Sequence, residues 1–155
     1  MAIVFDAKST GSSDPSSSTL TWSHTCTGDD RLLVVTVGES RNVTVTGVTY
    51  ATVALTLAKE LDGGGGSNDY ASIWYLNAPA TGANDIVVTY SAAITVPRAG
   101  GASFTNAIQN ATVLGATASV GCTAQNKSLA LTTQSADSVI LECIGALGGI
   151  HTPTA

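Results

Sequence analysis

A chain of 155 residues fits a single domain, and with 44% apolar residues it can bury a core of its own. It carries a formal charge of −5, and only 11% of its residues are charged, well under the roughly 25% usual for soluble domains. The six basic residues, Lys8, Arg31, Arg41, Lys59, Arg98 and Lys127, are scattered. This excludes the concentrated basic face that nucleic acid or an anionic membrane requires.

The N-terminus, Met1-Ala2-Ile3-Val4-Phe5-Asp6, has neither a basic leader nor a long apolar run, so it does not read as a signal peptide. Period-two alternation rich in Thr and Val then predicts strands along the chain. The first covers residues 3–9 and is followed by a Gly/Ser/Asp/Pro loop over 10–18. Leu20, Trp22, His24 and Cys26 alternate with Thr21, Ser23 and Thr25 in the second, and Thr27-Gly28-Asp29-Asp30 is turn chemistry. Residues 31–39 are almost continuously apolar, which predicts a central strand buried on both faces. Two strands over 43–49 and 52–61 meet near Tyr50-Ala51, and Gly63-Gly64-Gly65-Gly66-Ser67 reads as a hairpin tip. Further strands are predicted over 70–76, 85–91, 98–104, 112–120, 128–132 and 138–144, with a short helical turn over 106–110. No stretch reaches the ~18 apolar residues needed to span a bilayer as a helix. About ten short strands at this spacing predict an all-β, antiparallel sandwich or barrel. Residues 1–155 form one domain in this reading, with 145–155 an extended C-terminal tail.

Leu20-Thr21-Trp22-Ser23-His24-Thr25-Cys26, followed by Arg31-Leu32-Leu33-Val34-Val35, resembles a domain of phage and prophage virion structural proteins, found also in some bacterial secreted proteins. The likeness continues through Val48-Thr49-Tyr50, Val53-Ala54-Leu55-Thr56, Trp74-Tyr75-Leu76-Asn77-Ala78-Pro79 and Ala102-Ser103-Phe104, in order over roughly 3–105. The resemblance implies a β-sandwich of jelly-roll type on virion surfaces, tails or extracellular proteins. It brings no catalytic residues. The family pattern continues past Ser138-Val139-Ile140-Leu141 with a closing strand, where this chain ends at Ala155. Either the sandwich closes differently here or a neighbouring chain lends the missing edge.

Nothing in the sequence assembles a reaction centre. The histidines are His24 and His151. His24 shares a strand face with Trp22 and reads as a structural histidine, hydrogen-bonded beside an aromatic; His151 sits in the tail. No nucleophile elbow is present. Asp29-Asp30 occupies a turn, and Glu39, Glu60 and Glu142 lie near strand ends with no carboxylate opposite. A calcium site drawing on Asp29, Asp30 or Asp62 lacks an EF-hand-type loop. The Gly63–66 run lacks the Lys-Ser/Thr of a phosphate loop.

The three cysteines, Cys26, Cys122 and Cys143, have no metal-ligand spacing and read as reduced, mostly buried thiols, with one disulfide or a cross-link between subunits as the alternatives. Trp22 and Trp74 are expected in the core with Tyr75 pointing outward, a thin basis for a sugar platform. Sequons occur at Asn42, Asn110 and Asn126. The expected function is therefore non-enzymatic, with no cofactor and no metal. It is that of a capsid decoration, head-fibre or tail subunit, made in a host cytoplasm and assembling with other virion proteins and copies of itself. The alternative is an extracellular adhesin-type or carbohydrate-binding module that recognises a surface glycan.

Overall fold

The computed structural model describes residues 2–13, 16–39, 43–62, 70–109, 115–119, 130–133 and 137–143. Among them there are nine strands and no helix: β1 (Val4–Ser12), β2 (Ser17–Cys26), β3 (Leu32–Glu39), β4 (Val45–Tyr50), β5 (Val53–Ala54), β6 (Thr56–Asp62), β7 (Tyr70–Asn77), β8 (Gly82–Ile94) and β9 (Arg98–Thr105). They form two antiparallel sheets, ordered β1-β9-β3-β7-β6 and β2-β8-β4-β5, packed face to face.

The pairings are nested. The first strand pairs with the last (β1·β9), the second with the second-last (β2·β8), and β3 with β7, while β4 pairs with β5 at the bend. Two further pairings, β9·β3 and β8·β4, join these strands into the two sheets. The bend is the two-residue turn Ala51-Thr52, where φ is 49° and 69°. Two successive positive φ values match the right-handed twist of a hairpin, although neither residue is the Gly or Asn that such a turn favours.

The alternation seen in the sequence acts directly on packing. On β2, Leu20, His24 and Cys26 are buried while Thr21, Ser23 and Thr25 are exposed. β3 lies in the middle of the five-stranded sheet, and both its faces are covered. Leu33, Val35 and Val37 enter the core with Leu20, Val48, Tyr50, Trp74, Ile86 and Val88. Leu32 and Val34, on the opposite face, are still only 7% and 6% exposed. They belong to a second apolar cluster with Phe104 and Ala107, against which Ile3, Ile73, Tyr75, Ala102 and Leu141 pack. The outer face of this sheet is thus apolar and covered by residues that follow β9.

Several expected boundaries change. The single strand expected over 52–61 is divided at buried Leu55, whose N–H bonds the Val48 carbonyl at 2.8 Å as the chain passes from one sheet to the other. The strand expected over 85–91 runs from Gly82 to Ile94, because it pairs along nearly the whole of β2. Within the strands expected over 112–120, 128–132 and 138–144, the described parts (115–119, 130–132 and 138–143) form no strand, and 106–109 form no helical turn. β9 lies between β1 and β3 and pairs with both.

Candidate functional site

Two places collect polar side chains. The first is a network linking the two sheets. A bulge in β1 between Phe5 and Ala7 turns Asp6 out of register. Its carboxylate accepts from Ser103 Oγ at 2.7 Å, from the Thr27 backbone N–H at 2.9 Å and from Thr27 Oγ1. Three residues on, Ser9 Oγ lies 2.8 Å from His24 Nδ1 and accepts from Trp22 Nε1 at 2.9 Å. Because β1 and β2 belong to different sheets, this triangle fastens one sheet to the other along their shared edge. His24 is 2% exposed and meets the Tyr50 ring edge-on at 6.3 Å. The Tyr50 hydroxyl donates to the Gly82 carbonyl at 2.9 Å, with the Ala80 and His24 carbonyls at 3.2 and 3.3 Å, and accepts from Asn84 Nδ2 at 3.3 Å.

Ser9 and His24 stand at nucleophile–base distance, so their geometry must be weighed as chemistry. A catalytic imidazole needs an orienting group on its second nitrogen and access to substrate. His24 Nε2 is buried and has no hydrogen-bond partner among the described residues, and the ring lies inside the sandwich. Glycines pack against the group. A Cβ on Gly101 would lie 2.9 Å from Ile86 Cδ1 and 3.2 Å from Ser9 Oγ, and one on Gly11 would lie 2.6 Å from Trp22 Cδ2. Room for a substrate is therefore not built into this group as it stands; its geometry is that of a structural cross-link. Gly11→Ala is expected to displace the Trp22 ring and weaken its bond to Ser9, at a cost of about 1–3 kcal/mol. Denaturant titration followed by tryptophan fluorescence checks this, and an unchanged midpoint would contradict it.

The network is acid-sensitive. Burial lowers the His24 pKa from 6.5, and the nearby Asp6 charge only partly opposes it. For Asp6, burial pushes the carboxyl up, but the hydrogen bonds from Thr27 and Ser103, together with the His24 charge, outweigh it and hold the pKa below 3.8. Below about pH 6.5 the unfolded chain takes up a His24 proton that the folded protein refuses, so stability is full above that pH and declines as pH falls toward the lower folded value. Asp6 adds a second loss only below about pH 4, where its unfolded carboxyl protonates. Stability measured by urea titration from pH 8 to 5 is expected to fall, with a shallower slope in His24→Gln; equal slopes would refute the assignment. Burial also pushes the Cys26 thiol up, which keeps it protonated and unreactive.

The second place is one end of the sandwich. β2 ends at Cys26 opposite Gly82, β3 begins at Leu32 opposite Asn77 and Phe104, and β4 ends at Tyr50 opposite Ile86. Of the six non-glycine residues with positive φ among the described residues, the loops at this end hold five, namely Asp30, Ala51, Thr52, Ala78 and Asn106. Arg31 ties them together. Its Nε donates to the Pro79 carbonyl at 2.8 Å and its Nη1 to the Gly28 carbonyl, while its own carbonyl accepts from Ala78 N and from Gln109 Nε2. Asn106 N and Ala107 N bond the Asp29 and Asp30 carbonyls. An open cleft of about 300 Å³ lies here, lined by Asp30, Asn106, Ala107, Ile108 and Gln109.

Among the described residues, those singled out in the sequence do not converge. His24 is buried beside Tyr50, and Asp29 and Asp30 are exposed at the loop end. Glu60 is exposed within β6, and Glu142 is exposed outside any strand. No group of three or more His, Cys, Asp or Glu among the described residues is placed to hold a metal ion. Trp74 is in the core as expected, but Trp22 is only half-buried, because its indole N–H must reach Ser9 near the sheet edge. Tyr75 points to the outer face yet is half-covered there by the second cluster. Cys143 is half-buried, its thiol donating to the Val37 carbonyl at 3.7 Å. His151, Cys122, Arg41, Lys127, Gly63–66 and the sequon residues Asn42, Asn110 and Asn126 lie outside the described residues.

Sequence reading passed over Asp6, Ser9, Tyr50 and Ser103. An Asp inside a strand is unusual enough to have marked Asp6. No family model, curated protein or solved structure matches this chain.

Proposed function

We propose that the chain is a non-enzymatic virion structural protein, a capsid decoration, head-fibre or tail subunit, that works by assembling with copies of itself and with neighbouring virion proteins. The observation that carries this reading is the outer face of the five-stranded sheet. A sheet face turned to water is ordinarily polar. Here it carries Leu32, Val34, Ile73, Tyr75, Ala102 and Phe104. Of these, Leu32, Val34 and Phe104 are already buried with Ala107 and packed against Leu141, so the apolar surface left for a partner is the rim of this face. Around it the apolar surface continues outward: Phe5 is 56% exposed and stacks edge-on against Phe104, and Ile108 beside Ala107 is 59% exposed. With so few charges on the chain, covering such a surface costs little desolvation.

The jelly-roll part of the reading is supported by the nested order β1·β9, β2·β8, β3·β7 and β4·β5, the arrangement of a hairpin ribbon rolled into two sheets. In it, β6 is an extra edge strand reached by the bend at Leu55. Capsid and lectin domains commonly use this roll. The sequence resemblance to phage and prophage structural domains points the same way.

A second reading, an extracellular module binding glycan or protein, is favoured by the Arg31-tied loop end and its cleft. The two readings separate on solution mass, measured by light scattering across a hundredfold dilution. Assembly requires a discrete oligomer that survives dilution. A monomer throughout would sink self-assembly and leave the loop end as the functional surface.

A further inference from the structure

The residues that cover the outer face of the five-stranded sheet do not belong to the sandwich. Leu141 packs into the cluster around Leu32, Val34 and Phe104, and Cys143 reaches the Val37 carbonyl, so residues 137–143 lie across this face. They do so without forming a strand. Their apolar run is also used unevenly: Leu141 is half-buried, whereas Val139 and Ile140 are 40% and 56% exposed. Seated on its own subunit, the segment covers the sheet but leaves much of its own apolar surface in water.

Twenty-seven residues, 110–136, separate Gln109 from Asp137. Fully extended, a chain of that length spans at most about 100 Å. The segment can therefore reach its own sheet or that of an adjacent subunit. The choice between them does not turn on the seat, because identical copies offer the same contacts to Leu141.

We infer that residues 137–143 are an arm that exchanges between copies, seating on the outer face of the five-stranded sheet of a second copy in place of that copy's own arm. Exchange conserves the Leu141 contacts and brings the two sandwiches together, so that Val139 and Ile140 are covered by the neighbour as well. This inference rests on the assembly reading and names its contact.

The test uses the full-length chain in three forms: wild type, an arm variant, Leu141→Asp, and a face variant, Tyr75→Asp. Light scattering is expected to give an oligomer for wild type and monomers for each variant alone. Mixed one to one, the variants are expected to form a heterodimer, because the mixture holds one sound arm and one sound face. A mixture that stays monomeric, or a Leu141→Asp chain that keeps the wild-type mass, overturns the exchange while leaving assembly standing. A wild-type monomer at every concentration overturns both. If Leu141→Asp fails to fold, Leu141→Ala takes its place. With unchanged near-ultraviolet circular dichroism it is expected to raise the dissociation constant at least tenfold, and an unchanged constant overturns the inference.

Discussion

Tyr50→Ala is expected to destabilise the protein by about 3–5 kcal/mol, and Tyr50→Phe by about 1–2 kcal/mol. Tyr50 has no exposed surface, ranks first by volume among the fully buried side chains of the described residues and ends β4 at the loop end. Truncation to Ala removes the whole ring from between the sheets, where Leu33, Val35 and Ile86 cannot collapse without disturbing their ladders. The Phe variant keeps the ring and deletes only the hydroxyl, which bonds the Gly82 carbonyl and receives Asn84 Nδ2. Asn84 retains the Thr81 and Gly82 carbonyls as partners, which limits the loss. Paired urea titrations separate the two contributions. Equal midpoints for Phe and Ala would show that packing of the ring matters less than its burial implies.

Leu33→Ala and Leu32→Ala form the second comparison, because the two side chains leave β3 on opposite faces. Leu33 is fully buried in the core, and its truncation is expected to cost about 2–5 kcal/mol. On an uncovered sheet the outward Leu32 would be nearly silent. With Phe104, Ala107 and the residues after β9 packed over that face, Leu32→Ala is expected to cost at least about 2 kcal/mol. A change below about 0.5 kcal/mol, the usual range for surface substitutions, would mean that the outer face is not covered in solution.

The sandwich was largely legible because its strands obey local rules. Alternation along 20–26 marked which side of β2 faces the core, and the apolar run over 31–39 marked the strand covered on both faces. Pattern alone could not say that residues 52–61 change sheets, because no Gly or Pro breaker marks the bend at Leu55. The same alternation misled over 115–119 and 138–143, the described parts of two expected strands. A strand needs a ladder partner as well as a period, and these residues pair with no strand among the described residues. Freed from a ladder, residues 137–143 lie over the sheet and use Leu141 as an anchor.

The polar network was less legible. His24 was identifiable as a structural histidine from its strand face, but its partner Ser9 lies fifteen residues away on the opposite sheet. Only the stacking of β1 over β2 brings the pair together. Asp6 depends on a bulge, and the loop end depends on Arg31 reaching the Pro79 and Gly28 carbonyls while its own carbonyl accepts from Gln109 Nε2. Such contacts are properties of topology, to which periodicity is blind.

The most direct test is hydroxyl-radical footprinting of the full-length protein, assembled and then dissociated by dilution. If the outer face of the five-stranded sheet is the contact surface, assembly protects Phe5, Ile108, Val139 and Ile140 together. Val53 and Leu57, exposed at the β5–β6 crossing, keep the same reactivity in both states. Protection of Val53 and Leu57 with no change at Phe5, Ile108, Val139 and Ile140 would contradict the account.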